Sequence, residues 1–248
     1  MAIFLPVLLL LIAGMVEVGM YANDYLTLLD AAREAARFGS NLDPEFTVQY
    51  PFDAREGAAA PFPDVRPTEL ITPSVGMTPE DLDNLCKDGD TTNFYYEVAC
   101  LAFQNIPLGQ LRPGQGDDVV VTVVGFVEQT IAYRWPLADH ANPADWPYHF
   151  QGADDGDTNP TCTITNTENC RCWSLYGVRG SQFDNAQIQS LLRTDAPASS
   201  LVIVEVFYGH PHFIGFFTIG DFIPDPIQTR PYAIFPVPAA EPTPTLRP

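Results

Sequence analysis

The sequence predicts an α+β protein in which one long N-terminal helix packs on an antiparallel β-sheet. Residues 1–38 carry an unbroken helical pattern, and two later runs, 118–128 and 200–208, are dense in β-branched residues. Helical patterns separate these runs, an order that favours an antiparallel sheet with helices on one face. We divide the chain into an N-terminal helix (1–38), an α+β domain (39–223) and a proline-rich tail (224–248).

The N-terminal helix has an apolar half and an amphipathic half. Between Met1 and Ala22 the one charged side chain is Glu17. From Tyr25 onward, apolar and small residues recur at helical spacing, and residues 39–41 (Gly-Ser-Asn) are expected to end the helix. A helix over residues 1–38 is about 57 Å long, whereas a bilayer crossing needs roughly 20 residues. One half therefore suits an apolar environment, and the other supports the domain outside it.

Three interpretations of the apolar half compete. A cleaved secretory signal needs a basic start, but the first Lys or Arg is Arg33. An ordinary membrane anchor usually carries basic residues on its cytoplasmic flank, and none occurs here. The third interpretation is a helix that leaves the bilayer and packs against copies of itself in a filament.

Glu17 is the informative residue of the apolar half. A carboxylate in an apolar helix is costly and tends to mark a site of pairing. Either Glu17 lies near the membrane surface, within reach of water, or it meets a positive group of a neighbouring copy, such as an α-amino terminus. Gly14 and Gly19 permit close approach of another helix, and Pro6 removes one helical donor.

This helix resembles the N-terminal helix of TadE-like pilins and pseudopilins. The matching features are the apolar run through Pro6, the pattern Gly14-x-x-Glu17-x-Gly19, and residues 32–37 (Ala-Arg-Glu-Ala-Ala-Arg). The family's Gly cleavage site, and the Glu that follows it, do not occur ahead of this run. The resemblance implies a prepilin that is cut by a prepilin peptidase and assembled by Tad-type type IV pilus machinery.

The resemblance also implies a function and a location. We expect a structural subunit of an extracellular filament, held in the inner or cytoplasmic membrane before assembly, with other copies of itself as partners and a role in adhesion. The alternative is a monomeric, membrane-anchored extracellular binding protein. The candidate assembly residues are Phe4, Pro6, Leu9, Gly14, Glu17, Gly19 and Tyr21.

Composition narrows the class of function. The chain has 31 acidic and 12 basic residues, for a net charge of −19. Nucleic-acid binding requires cations that neutralise phosphates, so this charge argues against it, while an acidic surface suits a soluble exported domain. The sequence lacks the common nucleophile, metalloprotease and phosphate-loop motifs, so we expect no catalytic activity.

The five cysteines are interpreted first as disulfides, because exported domains favour them. Cys86 with Cys100 is the natural local pair. Cys162 with either Cys170 or Cys172 is the second, which leaves one thiol over. A zinc site is the alternative, but the spacing of Cys170 and Cys172 lacks the two-residue gap of a zinc knuckle.

Two acidic loops are candidate calcium sites, and no other cofactor is expected. Oxygen ligands at alternate positions begin many calcium loops. Pro160 replaces the glycine that a helix-loop-helix site needs, so solvated turns are the competing interpretation. The candidate ligands are Asp88 and Asp90 in the first loop and Asp155, Asp157 and Asn159 in the second.

The remaining elements follow from local patterns. Helices are predicted over 79–87, 92–104 and 181–193, the last capped by Ser181. Residues 137–180 are expected to form a loop-rich insertion held by a disulfide.

The end of the domain and the tail carry two further expectations. His210 and His212 flank Pro211, which indicates ordinary loop histidines and not a metal pair. In the tail, prolines favour polyproline-type extension, either free or along a neighbouring copy.

Overall fold

The structure is a computed structural model of the 248-residue chain. Within the described residues it has four α-helices and seven strands, which confirms the predicted α+β class. The helices are α1 (Phe4–Asn41), α2 (Pro79–Asp88), α3 (Phe94–Gln104) and α4 (Asn185–Leu191). The strands are β1 (Asp118–Val127), β2 (Thr130–Trp135), β3 (His149–Gln151), β4 (Cys172–Ser174), β5 (Ser200–His210), β6 (Ile227–Thr229) and β7 (Tyr232–Val237). The structure describes residues 4–42, 78–88, 94–127, 130–135, 149–151, 172–176, 178–192, 200–212 and 225–237.

The sheet is antiparallel throughout its described strands, as predicted. Its centre is the long ladder between β1 and β5, which runs from Asp118 opposite Phe207 to Gly125 opposite Ser200. On the outer side of β1 lie β2 and β4, with β3 beyond β4, and on the outer side of β5 lie β6 and β7. The two β-branched runs of the sequence are therefore the two central strands, where both faces are covered.

One face of the sheet packs against α1 and α3. Alternate valines of β1 and β5, such as Val121 and Val204, point to this face and join a core with α1 and α3. The side chains of α1 in this contact are mostly alanine, which lets its backbone approach the sheet closely. They are Leu28, Ala31, Ala32, Ala35 and Ala36, all buried.

The other face carries α4, so the expectation of helices on one face alone is wrong. Ile188 of α4 packs with Val124 and Ile203, which point away from α1. The N-cap of α4 is Asp184, whose side chain accepts from the backbone N–H of Gln187 in a capping box. Ser181, the predicted cap, instead bonds a buried carboxylate of the sheet.

The helix α1 runs past its predicted end to Asn41. Gly39 does not stop the helix. It serves the packing of α1 on α3 and β5, because a Cβ there would lie 2.8 Å from Cγ2 of Val98 and 3.3 Å from Cγ1 of Val202. Ser40 and Asn41 both donate side-chain hydrogen bonds to the carbonyl of Arg37. These bonds satisfy the last turn, where carbonyls lack helical partners.

The start of the predicted tail belongs to the sheet, unlike the extended tail expected from residue 224. β7 pairs with β5 from Tyr232 opposite Glu205 to Val237 opposite Ser200. Its one proline, Pro236, is tolerated because, among the described strands, β7 pairs with β5 alone, and an edge position needs fewer N–H donors. Residues 238–248 lie outside the described part of the chain.

Candidate functional site

The N-terminal half of α1 exposes its apolar side chains. Phe4 is 80% exposed and Leu9 is 57% exposed, and the other large side chains between them are exposed too. In the described chain, α1 is the one helix long and apolar enough to cross a bilayer. Leu28 and the buried alanines, by contrast, hold its other half on the domain. We call residues 4–20 of α1 the apolar rod.

The structure divides the seven candidate assembly residues into two groups. Phe4, Pro6, Leu9 and Gly19 lie on exposed parts of the rod, and Gly14 is half-buried. A Cβ added at Gly19 would meet no atom of the described residues within 4 Å. Glu17 and Tyr21, in contrast, contact the domain.

Glu17 is buried against the end of β5, with 6% of its surface exposed. Its Oε1 atom lies 3.2 Å from Nδ1 of His212 and 3.9 Å from Nε2 of His210. The structure thus supplies Glu17 with basic partners from its own chain. The role predicted for it at a neighbouring copy stays a prediction.

His210 is not a loop residue, which corrects the sequence interpretation for this histidine, while His212 follows the strand end and contacts Glu17. His210 is the last residue of β5 and is 2% exposed. Its Nδ1 lies 2.8 Å from Oδ2 of Asp24, and Tyr208 donates to the same oxygen over 3.3 Å. Pro211 follows the strand end and does not interrupt it.

Helical spacing brings the partners on α1 together. Glu17, Tyr21 and Asp24 are four and three residues apart and so share one face of the helix. The ring of Tyr21 meets the ring of His210 edge-on, with centroids 5.5 Å apart. We call Glu17, Asp24, His210 and His212 the polar junction.

A second set of buried charges lies on the opposite face of the sheet. Glu205 accepts hydrogen bonds from Ser181 Oγ (2.6 Å), the backbone N–H of Gln182 (3.1 Å) and Nη1 of Arg230 (3.0 Å). Burial raises the pKa of Glu205 above its usual value. Because this carboxylate has no exposed surface, it serves to hold the segment before α4 on the sheet.

Asp118 performs the same task one strand away. Its carboxylate accepts from the backbone N–H groups of Tyr176 (3.0 Å), Val178 (2.9 Å) and Arg179 (2.8 Å), and from the hydroxyl of Ser174. Burial raises the pKa of Asp118 as well. The two carboxylates fix the backbone of this irregular segment, and its side chains Leu175, Tyr176 and Phe183 add apolar packing in the core.

The cysteines follow the sequence prediction in part. Cys86 and Cys100 form a disulfide that joins α2 to α3. Cys172 is a free, buried thiol, and burial raises its pKa to about 12, so it takes no part in the predicted second pair. Cys162 and Cys170 lie outside the described residues.

The candidate calcium loops stay a prediction. Asp90, Asp155, Asp157 and Asn159 lie outside the described residues. Asp88 is the last residue of α2, and its side chain is likewise not described. The loop-rich insertion contributes the short strands β3 and β4 to the sheet.

The sequence contained a signal for the polar junction. A buried carboxylate needs a hydrogen-bonding or charged partner, and Glu17 has no basic residue within its own half of the helix. Its partner therefore had to come from elsewhere in the chain or from another molecule. The pattern His-Pro-His at the end of a β-branched strand offered two basic groups at one place.

Comparison with known proteins bears on the N-terminal helix. The family model described as TadE-like protein matches residues 1–37, which confirms the resemblance of this helix to TadE-like pilins. No curated protein matches the chain significantly, and no solved structure does. The matched segment coincides with the apolar rod and most of the amphipathic half of α1.

Proposed function

We propose that the chain is a structural subunit of an extracellular Tad-type pilus filament that assembles through the apolar rod. One observation carries the proposal: the large apolar side chains of residues 4–20 are exposed, within the segment that matches the TadE-like family. That family is a structural one, so the proposal invokes no catalysis.

The exposed surface of the rod demands an apolar environment. Apolar surface left in water costs about 25 cal/mol per Å², so a rod of large aliphatic side chains cannot stay in solution. Lipid provides one environment and the rods of other copies provide another. In the proposed sequence of events the rod lies in the membrane first, is processed by a prepilin peptidase, and is then buried among copies by the pilus machinery.

The glycines of the rod support packing against other copies. Within lipid, helices associate through close contact of small residues and not through the hydrophobic effect. Among the described residues, none comes within 4 Å of a Cβ placed at Gly19. A neighbouring helix can therefore approach this position closely, and the acidic domain, with the chain's net charge of −19, would lie on the filament surface.

A monomeric membrane-anchored binding protein is the second candidate. It is favoured by the length and composition of α1, which alone suffice to cross a bilayer. The two candidates differ in what Gly19 does. An anchor tolerates any apolar residue there, whereas a packed filament core does not.

The test is the variant Gly19→Leu in a host that carries Tad-type assembly machinery. Leucine keeps the rod apolar, so the chain is expected to stay in the membrane fraction. The fold of the single chain should also be kept, because a Cβ at this position meets no atom of the described residues. We expect surface filaments, counted by electron microscopy, to be lost. The matched control is Gly114→Leu, because a Cβ added at Gly114 would also have nothing within 4 Å, but this residue lies far along the chain, in the domain.

Two results separate the candidates. Loss of filaments for Gly19→Leu, with normal filaments for Gly114→Leu, supports assembly through the rod. Discrete particles for the parent chain in this host, with no fibres at any expression level, would favour the monomeric anchor.

A further inference from the structure

We infer that the polar junction is a proton-dependent latch, which holds the base of the apolar rod against the end of β5 while its imidazoles carry protons. The latch is a property of the single chain. In assembly the latch would control the angle at which the rod leaves the domain, and this consequence rests on the proposed function.

The position of His210 between two carboxylates carries the inference. Its Nδ1 lies 2.8 Å from Asp24 Oδ2, and its Nε2 lies 3.9 Å from Glu17 Oε1. A neutral imidazole bears one proton, so one of its nitrogens presents a lone pair. In the neutral ring, one of the two nitrogens would therefore face a carboxylate oxygen without a proton between them. The doubly protonated ring attracts both carboxylates.

The buried Nε2 atom of His210 has no hydrogen-bond partner among the described residues. A buried polar atom without a partner is costly, and it is rare in folded proteins. A charged N–H at this place is stabilised by the Glu17 carboxylate even beyond hydrogen-bond distance, because the surroundings have a low dielectric constant.

The charge balance of the junction points the same way. Glu17 and Asp24 contribute two negative charges when ionised, and the two imidazoles contribute from zero to two positive charges. Among these four described groups, the charges balance when both carboxylates are ionised and both rings are protonated. Burying an uncompensated charge costs several kcal/mol, so each proton lost weakens the contact.

Among the described residues, the other titratable groups around the junction are Tyr208, Arg112, Asp117, Asp225 and Tyr21. Burial raises the pKa of Tyr208, whose hydroxyl stays neutral and donates to Asp24. Arg112 lies over the outer face of the Tyr208 ring, 5.9 Å from its centroid, and pairs with Asp117 at 3.8 Å. Asp225 accepts the backbone N–H of His212 over 3.3 Å, and Tyr21 presents the edge of its ring.

The sign of the pH dependence follows from where the protons are bound. The closed junction holds protons that the open one releases, so rising pH favours the open form. Imidazoles change charge between about pH 5 and pH 8. The open population is expected to rise by up to about tenfold per pH unit for each proton released. Leu28 and the alanines beyond it keep the upper half of α1 on the sheet.

The test measures the position of the rod in the full chain in detergent micelles with EDTA. Spin labels on ketone-bearing amino acids replace Ile12 and Leu108, which are exposed on the rod and on the domain, and leave the cysteines untouched. We expect a narrow distance distribution at about pH 5.5 and a broad one at about pH 8.5. The double variant His210→Gln, His212→Gln should be broad at both.

Two further variants keep the test specific. The double variant Glu17→Gln, Asp24→Asn removes the charges that need the protons, so its distribution should no longer depend on pH. His149→Gln is the matched control, because His149 lies in β3 on the other side of the sheet, and it should respond as the parent does.

The outcomes are distinct from those of the filament experiment, because no assembly is required. A parent distribution that is the same at both pH values would overturn the latch. So would a distribution that is broad in EDTA at both pH values and narrows only on adding Zn²⁺, since a metal ion and not protons would then close the junction.

Discussion

Each buried carboxylate in the described part of this protein sits among donors. Asp118 and Glu205 receive backbone N–H groups and hydroxyls from one short segment, together with Arg230 in the case of Glu205. Glu17 receives imidazoles from the end of β5. Hydrogen-bond donors around a buried carboxylate fix two elements to each other more specifically than apolar contact does. The carboxylate accepts all of its hydrogen bonds in one relative position of the two elements.

The pH dependence of stability tests the role of Glu205. Because burial raises its pKa in the folded state above the ordinary value of 4.5, the folded state binds a proton that the unfolded state releases. The contribution of this group to stability is therefore highest below about pH 4.5 and falls as pH rises through the folded value. The variant Glu205→Gln should lose less free energy of unfolding between about pH 5 and pH 8 than the parent does.

Urea unfolding across that pH range gives the slopes to compare. Asp30→Asn is the control, because Asp30 forms an exposed pair with Arg33, and such pairs contribute little. Equal slopes for parent and Glu205→Gln would show that this carboxylate titrates alike in the folded and unfolded states.

At the residue scale the sequence indicated which residues need partners but not who the partners are. Glu17 stands out in an apolar run, so its importance could be predicted from the sequence. His210 lies 193 residues after Glu17 in the sequence, and His212 lies 195 residues after it. Their contact with Glu17 depends on how α1 crosses the sheet, which the sequence does not give. Ser181 was predicted to cap α4, which is wrong, because its hydroxyl donates to the buried Glu205 and Asp184 caps the helix.

The elements follow local physics where one pattern dominates. The runs of valine in β1 and β5 predict strands because β-branched side chains fit a pleated, buried surface. Cys86 and Cys100 could be paired from their proximity in sequence. The start of the tail could not be predicted, because prolines favour extension without naming a partner, and only the free edge of β5 made these residues a strand.

Gly39 shows how packing overrides a helix stop signal. Its Cβ position is filled by Val98 and Val202, so Gly39→Ala forces side chains apart. Overpacking costs about 1–3 kcal/mol, and alanine returns about 1 kcal/mol of helix propensity. We expect a net loss of up to about 2 kcal/mol, measured by urea unfolding of the full chain in micelles.

A second glycine in the same helix provides the control. The methyl group added by Gly19→Ala meets no atom of the described residues. This variant gains helix propensity without the cost of overpacking, so it should not lower the free energy of unfolding. Equal effects of the two substitutions would mean that the close approach at Gly39 has no energetic consequence.

On the scale of the whole molecule, β7 joins the helix to the sheet. It extends the ladder of β5 through six positions, from Tyr232 to Val237. Ala233 and Val237 are buried in the same core as α1, and Phe235 packs against it. The last described strand therefore packs in one core with the amphipathic half of α1, so that helix and sheet are expected to unfold together.

Two truncations of the full chain test this cooperation. A chain that ends at Pro226 lacks β6 and β7, and loses both the ladder on β5 and the apolar cover of α1. We expect it to be degraded by trypsin under conditions in which the parent domain resists. A chain that ends at Val237 keeps all the described strands and should resist as the parent does. Equal resistance of the two truncated chains would show that residues 227–237 are dispensable and that the helix is held by α3 and β5 alone.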